Sequence, residues 1–255
     1  MEDGLSGKSM SMVDAIFQAR MGSTRLPGKV IALIIGKPLI SHIVERVRAS
    51  KYVKRIILAT TKSKDDDELA DFAQRMGIMC FRGDDNDVLA RFYGAATEFD
   101  SKFILRVCCD NPLTDPRIID ELAQKCLEEN ADYVSTSIER TFPLGMDLEV
   151  FTFGALRDAF QSAKLGYERE HVTPYIYQHP ELFAIRFIEA QGKPRRPDLR
   201  LTVDSEEDLR FMKEIFKRLY NNGNIFSIEK VIDLLDEHPE LLTINAHIHQ
   251  KKLGE

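Results

Sequence analysis

Val13-Asp-Ala-Ile-Phe-Gln-Ala-Arg-Met-Gly-Ser-Thr-Arg-Leu-Pro-Gly-Lys29 joins a short apolar run to a basic, glycine-containing segment. Val13 to Ala19 suits a strand buried on both faces, as found in parallel sheets. From Arg20 to Lys29, glycines, hydroxyl residues and the cations Arg20, Arg25 and Lys29 crowd together directly after that strand. A triphosphate needs backbone N–H groups brought close, which glycine permits, and fixed positive charge, which arginine and lysine supply in different geometries. The segment is not a Walker A loop, because five residues separate Gly22 from Gly28 and Val30 stands where Ser or Thr would meet magnesium. A G-x-G-x-x-G dinucleotide fingerprint is also missing. The loop therefore reads as a triphosphate site of another kind, the plain alternative being a solvated basic turn.

Outward from this loop the same rhythm repeats. Val53 to Thr60, Ile78 to Phe81, Phe103 to Cys108 and Tyr133 to Thr136 are further strand-like runs. Helical patterns lie between them: from Pro38 through Val47, Leu69 to Met76 ahead of Gly77, Val88 to Glu98, and Pro116 to Glu128. Alternating strands and helices predict an α/β fold with a mainly parallel sheet flanked by helices, and ligands at the carboxyl ends of the strands. Residues 142–192 break the rhythm and are expected to form a small inserted lobe, with an extended run at Leu148 to Phe151, a helix around His171 to Gln178 and a strand at Phe183 to Ile188. A last strand is predicted over Leu199 to Val203, then a helix from Glu206 to Tyr220. The expected organisation is a disordered leader over 1–12, the main domain over 13–220 and a helical extension over 221–255.

Composition narrows the partners. A formal net charge of −6 argues against binding nucleic acid or anionic lipid through bulk charge, so any phosphate site must be local. No apolar stretch approaches the roughly 20 residues a bilayer requires, and the N-terminus lacks the pattern of a signal peptide, so a cytoplasmic, non-membrane protein is expected. Cys80, Cys108, Cys109 and Cys126 show no metal-like spacing and read as buried, reduced thiols.

Two carboxylates extend the site. Asp110 follows the run Phe103 to Cys108, and Asp204 follows Leu199 to Val203, so both are expected at the ligand-binding edge of one sheet. Magnesium takes one or two protein carboxylates and completes its octahedron with water and phosphate oxygens, which this pair would suit. Alternatively, Asp204 caps a helix and Asp110 is a turn residue. The acidic run Asp65-Asp66-Asp67-Glu68 is expected to face water at a helix start. Asp147 and Glu149 alternate with apolar neighbours and are expected to share a face.

The spaced set Ala19-Arg-Met-Gly-Ser-Thr-Arg-Leu-Pro-Gly-Lys29, Gly36-Lys-Pro-Leu39, Phe81-Arg-Gly83, Asp87-Val-Leu-Ala-Arg91, Cys109-Asp-Asn-Pro-Leu113, Glu168-Arg-Glu-His-Val-Thr-Pro-Tyr175 and Thr202-Val-Asp-Ser-Glu-Glu-Asp-Leu209 resembles the cytidylyltransferases of spore coat polysaccharide biosynthesis. CMP-KDO and CMP-sialic acid synthetases are more distant relatives. The resemblance covers roughly residues 13 to 220. It implies a Rossmann-like nucleotide-diphospho-sugar transferase fold and transfer of CMP from CTP, with loss of pyrophosphate, to a sugar phosphate, another phosphorylated small molecule or an acidic sugar. It also implies Mg2+ on Asp110 and Asp204, with Arg20, Lys29 and, in support, Arg25 on the triphosphate. Ala19, Gly22, Ser23, Arg82, Asp87 and Arg91 fall where relatives contact the nucleotide, although Asp87 could equally cap a helix at Val88. Asp147, Arg169 and His171 are expected at the acceptor, with helix-surface charge as the alternative for the latter two. A homodimer is implied through the 142–192 region, where Val172, Tyr175 and Ile176 share a helical face. A departure is Cys108-Cys109, where relatives more often carry small residues. Competing readings are a glycosyltransferase of similar fold, which would usually show an Asp-x-Asp pair, use of another NTP, and a non-catalytic nucleotide-binding subunit.

Overall fold

The computed structural model describes residues 12–23, 25–221 and 223–250. The leader expected over 1–12 lies, apart from Met12, outside the described residues. Strands β1 (Val13–Gln18), β4 (Val53–Thr61), β5 (Met79–Gly83), β6 (Phe103–Cys108), β7 (Tyr133–Ser135), β8 (Glu149–Thr152) and β9 (Ile185–Phe187) form one sheet in the order β5-β4-β1-β6-β8-β7-β9. Pairing is parallel from β5 through β6 and between β7 and β9, while β8 runs antiparallel to both its neighbours. A small hairpin of β2 (Leu33–Ile34) and β3 (Lys37–Pro38) stands apart.

Nine helices complete the described chain: α1 (Leu39–Arg48), α2 (Asp67–Met76), α3 (Val88–Glu98), α4 (Pro116–Glu128), α5 (Phe153–Ser162), α6 (Gly166–His171), α7 (Pro174–Tyr177), α8 (Glu206–Leu219) and α9 (Ile228–Glu237). The two-residue period of β1 sends Ala15 and Phe17 into a core shared with α1, α4, α8 and α9, and Ile16 into a second core shared with α3, α5 and α7. Both faces are thus covered, as the uninterrupted apolar strands predicted.

Four expectations need correction. The 142–192 region does not stand clear of the sheet, because β8 and β9 are strands of it. The helix expected over His171 to Gln178 is broken at Val172, whose φ of 72° ends α6 before α7 begins. Val172 and Ile176 are also fully buried in their own core, so they offer no face to a partner. Leu199 to Val203 is extended but is not a strand of the sheet: its ladder is a single parallel bridge, Leu144 to Arg200. It is instead laced between two loops, with Leu201 N donating to Leu144 O at 2.7 Å and Val203 N to Asp110 O at 2.8 Å.

Gly145 permits that lacing. Its φ is 105°, and a Cβ there would lie 2.6 Å from the Leu201 carbonyl carbon and 2.8 Å from Thr202 N. Only glycine lets these two stretches of backbone approach so closely. Gly145→Ala is expected to cost more than about 2 kcal/mol, since strain and a backbone clash coincide. Urea unfolding of the two proteins measures it, and equal midpoints would contradict the contact.

Candidate active site

The basic loop is pinned at both ends. Met21 O accepts from Ser23 N at 2.9 Å and from Gly28 N at 3.0 Å, which brings Gly28 back against Met21. Gly28, at φ 68°, then starts a single 3-10 turn over Lys29–Ile31. Met21 N donates to Asp66 Oδ1 at 2.7 Å, and the other oxygen of Asp66 accepts from Thr60 Oγ1, Thr61 N and Thr61 Oγ1. Asp66 is 2% exposed, so the expectation that its acidic run faces water fails at this residue. Burial works to raise its pKa, but these hydrogen bonds outweigh it and hold the carboxyl below its ordinary range.

Lys29 is the hub. Its Nζ donates to Asp110 Oδ2 at 2.8 Å, Asp204 Oδ1 at 2.8 Å and Val203 O at 3.1 Å. Arg25 adds a second cation on Asp204 Oδ1 at 2.9 Å. Burial disfavours the charged ammonium, but Asp110 and Asp204 more than offset it, so the Lys29 pKa rises. For Asp204, burial pushes upward and Lys29, Arg25 and Arg200 pull further down. Lys29 and Asp204 therefore stay ionised at neutral pH. Behind them, Arg200 Nη2 reaches Asp204 Oδ2 at 3.1 Å and pairs with Asp208 through two contacts of 2.8 and 2.9 Å. Asp208 also accepts from Asp204 N and from Asn245 Nδ2.

The structure separates the expected nucleotide residues into two groups. Arg20 is exposed, Ala19 is buried, Gly22 is exposed and Ser23 is half-buried at the mouth of the same turn. Among the described residues no carboxylate pairs with Arg20. Arg91 is buried, donates to Asp84 O at 2.7 Å and Asp85 O at 3.2 Å, and leaves its Nε without an acceptor. Its pKa is lowered by burial and then by Arg20, so the two cations lie close enough to repel, an arrangement an anion would relieve. Arg82 is spent elsewhere, on Thr61 O, Ser63 O and Asp67, and so braces the loop from β4 to α2. Asp87 caps α3 by accepting from Ala90 N at 2.8 Å and forms an ion pair with Arg169.

Arg169 is engaged by that pair, and its guanidinium also donates to Phe160 O and lies 5.0 Å from the Phe160 ring centroid. Asp147 lies outside β8, accepting from Gly145 N and pairing with Arg140 at 2.6 Å. His171 is half-buried, with its pKa lowered chiefly by burial. Burial likewise pushes the Cys108 thiol up to about 12 and Cys109 well above its usual value, so both rest as thiols. Sequence reasoning missed the burial of Asp66 and the ion pair of Arg106 with Glu149. Signals were present in Thr60-Thr61 ahead of the acidic run, and in charged residues interrupting apolar strands.

Comparison with known proteins agrees with this geometry. A family model described as cytidylyltransferase matches residues 15–234. An uncharacterized protein of Methanocaldococcus jannaschii is 39% identical over 94% of this chain and 97% of its own length. The spore coat polysaccharide biosynthesis protein SpsF of Bacillus subtilis is 35% identical over 89% of this chain and 95% of its own. The solved cytidylyltransferase of Leptospira borgpetersenii superposes with a TM-score of 0.86 at 30% identity, covering 94% of this chain and all of that one. A structure of a CMP:2-keto-3-deoxy-manno-octonic acid synthetase shares the fold at a TM-score of 0.62 and 16% identity. With its basic loop, paired carboxylates and mostly parallel sheet, the chain belongs to the cytidylyltransferase family.

Proposed function

We propose that the protein transfers CMP from CTP to an acidic sugar or a phosphorylated acceptor, releasing pyrophosphate, in the synthesis of a surface polysaccharide or glycoconjugate. The observation that carries this reading is one ammonium, Lys29 Nζ, shared at 2.8 Å by two carboxylates from separate segments directly beneath the basic loop. A place where two carboxylates already converge on one cation fits a magnesium ion, which needs no more protein ligands than these. Asp110 and Asp204 would hold it, and it would supply charge neutralisation at the phosphate oxygens.

In the reaction, an acceptor oxygen attacks the α-phosphorus in line, the new P–O bond forms, and the bond to the bridging oxygen of pyrophosphate breaks. Positioning and charge stabilisation do most of this work. Arg20 and Arg91 would meet the phosphates, whose negative charge relieves the repulsion between them. Lys29 would exchange its carboxylate partners for phosphate oxygens as nucleotide enters, and Arg25 would follow from Asp204. Asp66 keeps Met21 N fixed, so the N–H of Gly22 need not be ordered at the moment of binding. A phosphate monoester on the acceptor is largely dianionic at neutral pH and needs no base, whereas a sugar hydroxyl must lose a proton. Cytosine as the base, a cytoplasmic setting and a homodimer belong to the same proposal. For the dimer, the exposed Leu165, Leu182 and Phe187 replace the buried Val172 and Ile176 as the candidate apolar surface.

Incubation with each NTP, magnesium and a panel of sugar phosphates and acidic sugars, with pyrophosphate as the readout, tests the transfer. Release with CTP is expected, and its absence with every acceptor would sink the proposal. Lys29→Ala and Asp110→Asn are each expected to cut turnover by a factor on the order of 100 or more. A near-native rate in either removes that residue from the mechanism. Asp66→Asn should raise the KM for CTP about tenfold with a smaller change in kcat, because it loosens a binding loop and leaves the reacting groups in place. An unchanged KM would show that the loop does not depend on this anchor. Chelation of divalent cations should abolish turnover and magnesium restore it, and persistence of activity in chelator would exclude the metal.

A further inference from the structure

On the face of the sheet turned away from Leu105 and Val107 lies a buried polar cluster that the proposed mechanism does not use. Arg106 on β6 faces Glu149 on β8 in register, and Arg106 Nη1 donates to Glu149 Oε2 at 2.7 Å. Glu149 Oε1 accepts from Tyr133 OH at 2.6 Å and from Thr173 Oγ1 at 2.8 Å. Arg106 Nη2 reaches Gln18 Oε1 only at 3.3 Å, and its Nε is buried with no acceptor. Donors are therefore in surplus. Glu149 is engaged at both oxygens, while the edge of the guanidinium formed by Nε and Nη2 holds one long contact between two nitrogens.

Such an ion pair is a poor source of stability, because desolvating both charges costs about as much as their attraction returns. An orphaned guanidinium nitrogen adds to that cost. The backbone beside it is strained as well. Val172, a β-branched residue at φ 72° and ψ −53°, closes a γ-turn in which Thr173 N donates to His171 O at 2.8 Å. That turn delivers Thr173 to Glu149 and leaves His171 close enough to feel the charges of both Arg106 and Glu149. The cluster also sits close to the reacting centre. Gln18 pairs in register with Cys108, the basic loop begins two residues after Gln18, and Asp110 lies four residues beyond Arg106, a span of roughly 13 Å in extended chain.

We infer that Arg106 is a specificity-determining residue for the acceptor, binding its oxyanion, a carboxylate or a phosphate, side-on through Nε and Nη2, with Glu149 as the residue that positions the guanidinium. The inference rests on the transfer reading above and names what recognises the acceptor. The oxyanion displaces Gln18 Oε1, which belongs to a half-buried residue and holds Arg106 only at 3.3 Å. A planar guanidinium matches either anion with two parallel hydrogen bonds, which a lysine at this place would not.

Calorimetry on the full chain, with magnesium and a non-hydrolysable α,β-methylene analogue of CTP, tests this with three probes. N-acetylneuraminate supplies a carboxylate, glucose 1-phosphate a phosphate, and the methyl ester of N-acetylneuraminate no anion. The wild type is expected to bind one of the two anions and not the ester, and the anion bound identifies the group. Arg106→Gln should weaken that binding on the order of 50-fold, with Arg106→Lys only partly restoring it and affinity for the nucleotide analogue unchanged. Should Arg106→Gln misfold around an unpaired Glu149, the double variant Arg106→Gln/Glu149→Gln removes both charges and gives the same readout. Failure of the wild type to bind either anion, equal binding of the ester, or wild-type anion affinity in the folded variants would overturn the inference. Pyrophosphate release separates the two claims: release that ignores Arg106 overturns the anion site alone, and Arg106-dependent binding without release overturns the transfer alone.

Discussion

Two carboxylates held together at the edge of the sheet repel one another, and the Lys29 ammonium is what makes their juxtaposition tolerable. At an effective dielectric constant near 20, like charges about 5 Å apart repel by about 3 kcal/mol, a sizeable part of a domain's net stability. Lys29 sits between Asp110 and Asp204 and cancels that repulsion, and Arg25 and Arg200 bring further positive charge to Asp204. The arrangement also fixes the loop. Because Lys29 ends the basic segment, its attachment to two distant segments determines where the preceding turn must sit over the sheet.

The cations near this edge divide by what their partners leave over. Arg82 and Arg169 are saturated by carbonyls and carboxylates, so their charges serve to brace a loop and a helix start. The charge of Arg20 helps lower the Arg91 pKa, and among the described residues Arg91 is partnered only by carbonyls. Charge that the fold has not neutralised is charge available to a phosphate. Sequence position cannot make this division, because each of these arginines lies in a stretch that resembles the family's motifs and all are equally basic on paper.

What was legible in the sequence follows from periodicity and adjacency. Apolar runs at strand length gave β1, β4 and β6 and put the basic loop and Asp110 at the same edge, since a residue just past a parallel strand has little choice of position. Pairing with distant chain was not legible. Leu199 to Val203 has the composition of a strand, yet it is laced between the loops at Leu144 and Asp110 and does not extend the sheet. Asp66 was hidden by its neighbours. In a run of four acids only the geometry of the turn decides which faces inward, and here Ser63 caps the turn Lys64–Asp66 so that Asp66 meets Thr60 and Thr61.

The C-terminal segment shows the same limit in a more consequential place. Read as an appended helical extension, residues 221–255 would have no bearing on the site. Yet Asn245, 5% exposed, donates to Asp208 Oδ1 at 2.9 Å, and Asp208 in turn orients Arg200 and accepts from Asp204 N. Asp208 is itself fully buried, so losing Asn245 would leave Oδ1 with Arg200 Nε as its remaining side-chain partner, in a region where each lost hydrogen bond to a carboxylate is costly. The chain therefore closes on itself behind the paired carboxylates, and the geometry of Asp204 depends on a residue some forty positions further along. Its terminal segment belongs to the support of the active site.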